Sequence, residues 1–298
     1  MASVNMFKFT KYSTIYYVFS GILIIASIVA LFLFGLKFGI EFTGGSNMEV
    51  SFLNERPSNQ DIANQISEFN LGEVIIQPVG ENDAVLRFKG VDESTHNQIV
   101  SKINELSPLE EKNFQFIGPS IGNELKNKTL ISIGLVLLAI TLYIALAFRK
   151  VSRPVSSWKY GIASLIALFH DILIPIGVFA VLGRFYGVEI TTPIVAALLT
   201  VLGFSVHDTI VIFDRIRENI QKTGVNNFSE TVDLSLNQTL GRSITTTLTT
   251  LIVMVAIFFF GGVTLKWFSL ALIVGITSGA YSSIFIAGPL LVTWYKKT

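Results

Sequence analysis

The sequence predicts a membrane-embedded all-α bundle of six helices, with one small α+β domain inserted after the first span. Three observations carry that expectation. Only 14% of the 298 residues are charged while 51% are hydrophobic, against roughly 25% charged in soluble domains. Six apolar stretches, at about 12–36, 129–148, 160–183, 190–213, 243–265 and 267–295, reach the roughly 20 residues needed to cross about 30 Å of hydrocarbon. Residues 37–128 hold 8 basic and 14 acidic side chains, half of the chain's 43 charges, so a soluble-like block interrupts an apolar chain. The resulting organisation is a cytoplasmic N-terminus and first span (1–37), an external domain (38–127), and five further spans with cytoplasmic loops (128–298).

The first span carries no charge between Lys11 and Lys37, which is longer than the roughly 7–15 residues of a signal-peptide core. It is expected to remain attached. In the external block, apolar alternation predicts strands near 47–53, 73–79, 84–89 and 113–117. Two helical patterns separate them: Ile62, Ile66 and Phe69 fall at i, i+4, i+7, as do Ile99, Ile103 and Leu106, giving each helix one apolar face. Ser58 with Asp61 resembles a capping box, Asp92 is a candidate N-cap, and His96 is expected on a solvated face. The order strand, helix, strand, strand, helix, strand is that of a ferredoxin-like split βαβ sandwich.

Orientation follows from the lysines and arginines of the short loops. One set of span ends carries Lys8, Lys11, Arg149, Lys150, Arg153, Lys159, Arg215, Arg217, Lys222, Arg242, Lys296 and Lys297, and the other only Arg184 and Lys266. Twelve against two places both termini in the cytoplasm and residues 38–127 outside it. In the last span Ala271, Gly275, Gly279, Ser283 and Ala287 form a stripe of small residues, which lets helix backbones approach closely, either within the bundle or at a subunit interface.

Composition excludes several functions. The net charge is +1 and no Lys/Arg run exceeds two residues, so the basic surface of a nucleic-acid binder is absent. No cysteine occurs, which removes disulfides, thiol catalysis and thiolate metal sites. Two motifs nearly match enzymes. Gly39 to Ser46, GIEFTGGS, has the spacing of a phosphate-binding loop but places Gly45 where the lysine belongs. A Gly-rich turn or hinge using the backbone freedom of Gly39, Gly44 and Gly45 is the expected role. Gly118-Pro119-Ser120-Ile121-Gly122 is formally a nucleophile elbow, but the only later histidines, His170 and His207, lie inside spans. A Gly-Pro hinge is expected there, and neither a metal nor a cofactor is called for.

The informative residues lie in the bilayer. His170-Asp171 sits mid-way along the third span and His207-Asp208 in the fourth. A charged side chain at the centre of a membrane costs at least roughly 2.5 kcal/mol, which makes such a group a functional candidate with a partner to be named. By depth, Arg242 at the start of the fifth span is the expected partner of Asp208, as a static ion pair or as a titrating pair in an ion pathway. His170 and Asp171 form a secondary polar pair that either titrates or ties helices together. Thr245, Thr246, Thr247, Thr249 and Thr250 follow Arg242, and either line a hydrated path or back-bond to helix carbonyls. Asp214, Arg215, Arg217 and Glu218 crowd the end of the fourth span as a positive-inside flank or a cytoplasmic contact site.

Taken together, GIEFTGG after span one, GPSIG before span two, ALFHD in span three and GFSVHDTIVIFDRIREN across span four resemble the SecF subunits of the bacterial Sec protein-export machinery, members of the RND transporter superfamily. The resemblance covers nearly the whole chain. It implies half of an RND-type twelve-helix unit completed by a SecD-like partner. It further implies association with the SecYEG channel and with YajC, contact with exported preprotein and membrane lipid, and a location in the plasma (inner) membrane. The implied activity is not enzymatic: a proton or sodium gradient promotes export after SecA has started it, through Asp208 and Arg242. His207 departs from the Asn more usual before the carboxylate. The competing expectation is a self-contained ion-coupled pump for a small molecule or lipid.

Overall fold

The computed structural model describes residues 6–149, 155–223 and 227–296. Lys150, Arg153 and Lys297 of the charge asymmetry lie outside the described residues. The chain divides into two compact units, residues 38–130 and the remainder.

The membrane unit contains α1 (Ser13–Phe34), entered by a 3-10 turn at Phe9–Tyr12, and, after the external domain, α5 (Pro119–Ala147), α6 (Ser157–Tyr186), α7 (Thr192–Thr223), α8 (Phe228–Phe260), α9 (Val263–Ser282), a π-helical turn (Ser283–Ala287) and α10 (Gly288–Lys296). Among the described residues, six helical stretches are long and apolar enough to span a membrane. The segments containing α6, α7 and α9 are half or more buried, against 17%, 6% and 11% for those of α1, α5 and α8. Three helices therefore form the interior, and the other three present wide apolar faces.

Small residues decide the interior packing. A Cβ on Gly275 would sit 2.3 Å from Val201 and one on Gly279 2.9 Å from Ser205, so the stripe on α9 lies backbone-close against α7. All five stripe residues are buried. A Cβ on Gly177 of α6 would come within 2.6 Å of the Ser27 Cα on α1. Near the end of α5 and the start of α6, Tyr160 stacks on Phe148 and meets Phe213 edge-on.

Hydropathy marks where a helix enters lipid, not where it ends. α7 and α8 run 32 and 33 residues, about 50 Å each at 1.5 Å per residue. Arg242 consequently stands inside α8 instead of opening it. The extensions are joined by Asn219 Nδ2 donating to Ser235 Oγ and Gln238 Oε1, both at 2.8 Å. The N-terminal segment is tied to the same part of α8: Asp233 accepts from the Thr10 amide at 2.9 Å and the Thr10 hydroxyl at 2.8 Å, and Asn237 bonds both backbone groups of Phe7.

The external domain consists of a helical turn α2 (Ile40–Thr43), β1 (Gly45–Phe52), α3 (Asn59–Gln65), β2 (Ile75–Val79), β3 (Asp83–Phe88), α4 (Glu93–Leu106) and β4 (Leu109–Ile117). Its sheet is antiparallel in the order β2-β3-β1-β4, with a register shift at Glu49/Val50. This is the split βαβ arrangement expected from the sequence. Met48, Val50, Phe52 and Leu86 pack against Ile62, Ile66, Ile99 and Ile103.

Several local expectations are corrected. α3 stops at Gln65, and Phe69 reaches the core from a 3-10 turn, Ser67–Phe69, closed by Asn70 at φ 49°. Leu106 is 39% exposed, whereas His96 is buried, stacked on Phe114 at 3.8 Å and bonded to Glu111 at 2.9 Å. The buried face of α4 thus runs 96, 99, 103, one turn earlier than the apolar spacing suggests, because a histidine with a carboxylate partner fills a core position. β4 begins four residues early. Glu110, Glu111 and Lys112 hide its alternation, as charges on an edge strand do. The Asp92 cap is formed, accepting from the Thr95 amide at 2.8 Å.

Candidate functional site: buried carboxylates in the bundle

Asp171 on α6 is the most heavily bonded polar group in the bundle among the described residues. Its Oδ2 accepts from Ser205 Oγ of α7 at 2.5 Å and Ser282 Oγ of α9 at 2.7 Å. Its Oδ1 accepts from Ser278 Oγ at 3.2 Å and lies 2.9 Å from His170 Nδ1. The carboxylate is fully buried, and the neighbouring imidazole lies 5.9 Å, centroid to centroid, from the Tyr281 ring. Three hydroxyls from two other helices and the adjacent His170 imidazole therefore occupy the four lone-pair directions of the carboxyl group. Two helix irregularities flank the group. Pro175 lacks the amide that would bond the Asp171 carbonyl, and the π-helical turn follows Ser282 directly, a feature often found at functional sites.

Asp208 on α7 has a contrasting environment. It is 4% exposed, yet its Oδ1 has only His207 Nδ1 at 3.9 Å, and its Oδ2 has no hydrogen-bond partner among the described residues. The His207 side chain is 62% exposed and points out of the bundle. Arg242 is exposed on α8 and near enough for its charge to act on Asp208, but no ion pair within 4 Å joins them. The two carboxylates are linked through the π-helical turn: Ser282 bonds Asp171, and Ser283 lies 2.9 Å from Thr209, the residue after Asp208.

The threonine run of α8 divides in two. Thr245, Thr246, Thr249 and Thr250 each donate to the carbonyl four residues earlier at 2.8–3.0 Å, which is back-bonding. Thr247 is buried and has no such partner. The candidate cytoplasmic contact residues are bonded to one another and to α8. Arg215 bonds Glu218 and, at 2.7 Å, Gln238. Lys222 meets Glu218 at 2.5 Å, and Arg217 lies 3.7 Å from Asp214.

The glycine motifs belong to the external unit and pack on each other. Gly44 (φ 77°) and Gly45 (φ 142°) occupy the glycine-favoured region, whereas Gly39 has an ordinary φ of −69°. A Cβ on Gly44 would lie 2.8 Å from the Pro119 Cα, and one on Gly122 2.9 Å from the Gly44 nitrogen. Close approach of two backbones is what requires glycine at Gly44 of GIEFTGG and Gly122 of GPSIG. Ser46 is buried in β1, and Ser120 lies exposed in the first turn of α5. No group of three His, Cys, Asp or Glu side chains with metal-holding geometry occurs among the described residues.

Sequence reasoning missed Ser205, Ser278 and Ser282 of the Asp171 cluster and Ser243 beside Thr247. The available signal was a four-residue spacing: Ser278 and Ser282, like Ser243 and Thr247, share a helix face.

A six-span bundle with buried carboxylates at its centre and a ferredoxin-like domain after the first span defines a membrane transport subunit, one half of an RND-like unit. Comparison with known proteins narrows the class. The family described as protein export membrane protein SecD/SecF, C-terminal, matches residues 97–297, and the SecD/SecF GG motif matches residues 29–52. Protein translocase subunit SecF of Thermobaculum terrenum is 41% identical over 98% of this chain and 95% of its own length. That of Vibrio alginolyticus is 37% identical over 95% and 88%. The crystal structure of SecDF from Thermus thermophilus superposes with a TM-score of 0.86 at 30% identity, and SecDF in a super-membrane-facing form with 0.71 at 28%. This chain is covered completely in both cases and spans 40% of the length of those SecDF chains. The chain belongs to the SecD/SecF family of protein-export membrane proteins, as a SecF-type translocase subunit. It is a multi-pass membrane protein with a role in Sec-associated export.

Proposed function

We propose that this chain forms the SecF half of a twelve-helix unit with a SecD-like subunit and uses a transmembrane proton or sodium gradient to promote preprotein export through SecYEG, with YajC as a further associate. The charge asymmetry supports a plasma-membrane orientation with both termini in the cytoplasm and residues 38–127 outside. The open apolar faces of α1, α5 and α8 supply surface for a second half-bundle.

One observation carries the coupling role: a buried carboxylate within a span, Asp208, keeps one oxygen without a hydrogen-bond partner among the described residues while His207 and Arg242 stand near. A structural ion pair would use that oxygen. A carboxylate that takes up and releases an ion must leave it available. One charge moving down 100 mV supplies roughly 2.3 kcal/mol, enough to bias two helix arrangements separated by a few kcal/mol. The two states differ in whether Asp208 is neutralised by a bound ion or draws the Arg242 side chain toward it. Movement of α7 reaches α9 through Thr209 and Ser283, and α6 through Ser205 and Asp171. The Gly44/Gly122 contact then serves as the mechanical base of the external domain, which acts on emerging polypeptide.

The partner is tested by purifying the native complex in mild detergent. Co-purification of a polypeptide with a second six-span half, together with preprotein accumulation when this chain is depleted, is expected. A homodimer without an export defect would instead indicate a self-contained pump.

A further inference from the structure

Residues 7–10 are gripped by one face of α8. Ser229, Asp233 and Asn237 recur every fourth residue in the first three turns of that helix and so share a face. All three contact the segment. Asn237 donates to the Phe7 carbonyl at 2.9 Å and accepts from the Phe7 amide at 3.1 Å. Asp233 accepts from the Thr10 amide at 2.9 Å and from the Thr10 hydroxyl at 2.8 Å, and that hydroxyl lies 2.7 Å from Ser229 Oγ. Between the two grips Phe9 is buried and meets Phe285 of the π-helical turn, with ring centroids 5.8 Å apart. The segment has no slack beyond this point: the 3-10 turn Phe9–Tyr12 runs directly into α1 at Ser13.

The grip joins two parts of the bundle. On one side, α1 lies backbone-close on α6, where a Cβ on Gly177 would stand 2.6 Å from the Ser27 Cα. Just past the far end of α1, the Lys37 carbonyl accepts from the Ile190 amide at 2.7 Å, which ties it to the segment between α6 and α7. On the other side, α8 packs on α7 and α9 and carries Arg242 nine residues beyond Asp233, about 14 Å along the axis at 1.5 Å per residue. Among the described residues, every hydrogen bond from α8 to the first 37 residues passes through Phe7 or Thr10. Hydrogen bonds hold over only about half an ångström of donor–acceptor distance. A larger shift of α8 therefore either drags residues 7–10 with it or breaks all of these bonds together. We propose that Thr10, Asp233 and Asn237 are positioning residues for gradient-driven export: they form the joint through which movement of α8 is passed to α1, and along α1 to the external domain that follows it in the chain. The proposal rests on the reading that an ion gradient moves this bundle. Asp233 and Asn237 take hold of backbone groups at Thr10 and Phe7, which fixes the path of the chain, and Phe9 anchors it in the core.

The test uses inverted vesicles containing the complete complex and reads the ratio of preprotein uptake with the ion gradient intact to uptake with it collapsed. T10V/N237A, which removes the Thr10 hydroxyl and both bonds to Phe7, is expected to lose most of the gradient stimulation while uptake under the collapsed gradient stays at the wild-type rate. T10S keeps the hydroxyl and should keep the wild-type ratio. A covalent joint supplies the rescue. The chain has no native cysteine, and the 2.7 Å between the Thr10 and Ser229 hydroxyl oxygens suits a disulfide, whose sulfurs lie about 2.05 Å apart. Reduced T10C/S229C should show weakened stimulation, and the same vesicles after oxidation should regain it, with T10C and S229C alone as controls for the oxidant. An unchanged ratio in T10V/N237A, or a loss of uptake equal with and without the gradient, would overturn the proposal and leave the segment a structural tie. Stimulation lost on oxidation would also overturn it, since the segment would then have to let go of α8. If T10V/N237A does not assemble, the reduced and oxidised states of T10C/S229C decide on one protein. Asp208→Asn separates the two levels. If it abolishes stimulation while T10V/N237A keeps it, only the joint fails; if it leaves stimulation intact, the coupling reading itself fails.

Discussion

Replacing Asp171 by asparagine tests whether this carboxylate is the ionised centre of the bundle. It accepts from Ser205, Ser282 and Ser278 and contacts His170, at 2.5, 2.7, 3.2 and 2.9 Å. An amide has one oxygen and one NH2, so it can face acceptor to only two of those groups. Keeping the oxygen on the two shorter bonds turns the NH2 toward Ser278 and His170. The serine can rotate to accept, but a protonated His170 Nδ1 cannot. Downgrading two bonds from charged to neutral costs about 0.5–1.5 kcal/mol each, and an unmade buried bond about 1–3 kcal/mol. The sum is on the order of 2–6 kcal/mol. At about 2–4 °C per kcal/mol for 150–250 residues, melting by fluorescence-detected size exclusion should fall by roughly 4–24 °C. Ser282→Ala should cost less alone, and the double variant should fall short of additivity because both changes act on one bond. Asp171→Asn melting within about 2 °C of wild type would refute the reasoning, since a neutral Asp171 is nearly isosteric with asparagine.

Other predictions follow from the same packing and charges. Gly177→Ala places a Cβ 2.4 Å from the Ser27 Cβ and should cost about 1–3 kcal/mol by prising α1 from α6; Gly21→Ala, with nothing within 4 Å, is the control and should melt as wild type. Gly122→Ala drives a Cβ to 3.0 Å from the Phe42 carbonyl, a backbone that cannot step aside, so hydrogen exchange should accelerate in residues 40–45 and 118–122. In the external domain the Lys112 hydrogen bond, then that of Ser51, holds the Asp83 carboxyl below its usual 3.8. Its contribution is therefore complete above about pH 3.8 and lost as pH falls through the lower folded value. Lys112→Met should destabilise residues 45–117 at neutral pH, with the difference from wild type vanishing in acid, as read by exchange mass spectrometry across pH.

The fold was legible because its signals are periodic. Six apolar runs and the split βαβ order are written in spacing that burial alone enforces. Helix ends were less legible. The extensions of α7 and α8 are polar, and what stabilises them is pairing between Asn219 and Ser235, a contact no single helix pattern contains. His96 was misplaced because polarity normally indicates solvent, while here Glu111 and Phe114 make a buried imidazole favourable. At the candidate site, Asp171 and Asp208 stood out as carboxylates inside spans. Their different surroundings did not, because serines appear in the sequence as small packing residues until a register places them on one carboxylate. Gly44 and Gly122, nearly 80 residues apart, each look like a turn; only their mutual contact shows why neither tolerates a side chain.

The coupling role of Asp208 is tested most directly by preprotein uptake into inverted vesicles carrying the complex, wild type or Asp208→Asn, with the ion gradient intact or collapsed by ionophores. Stimulation by the gradient in wild type, absent in an Asp208→Asn complex that assembles normally, is the predicted result. Equal stimulation of both would contradict the account and leave this chain a scaffold within its export complex.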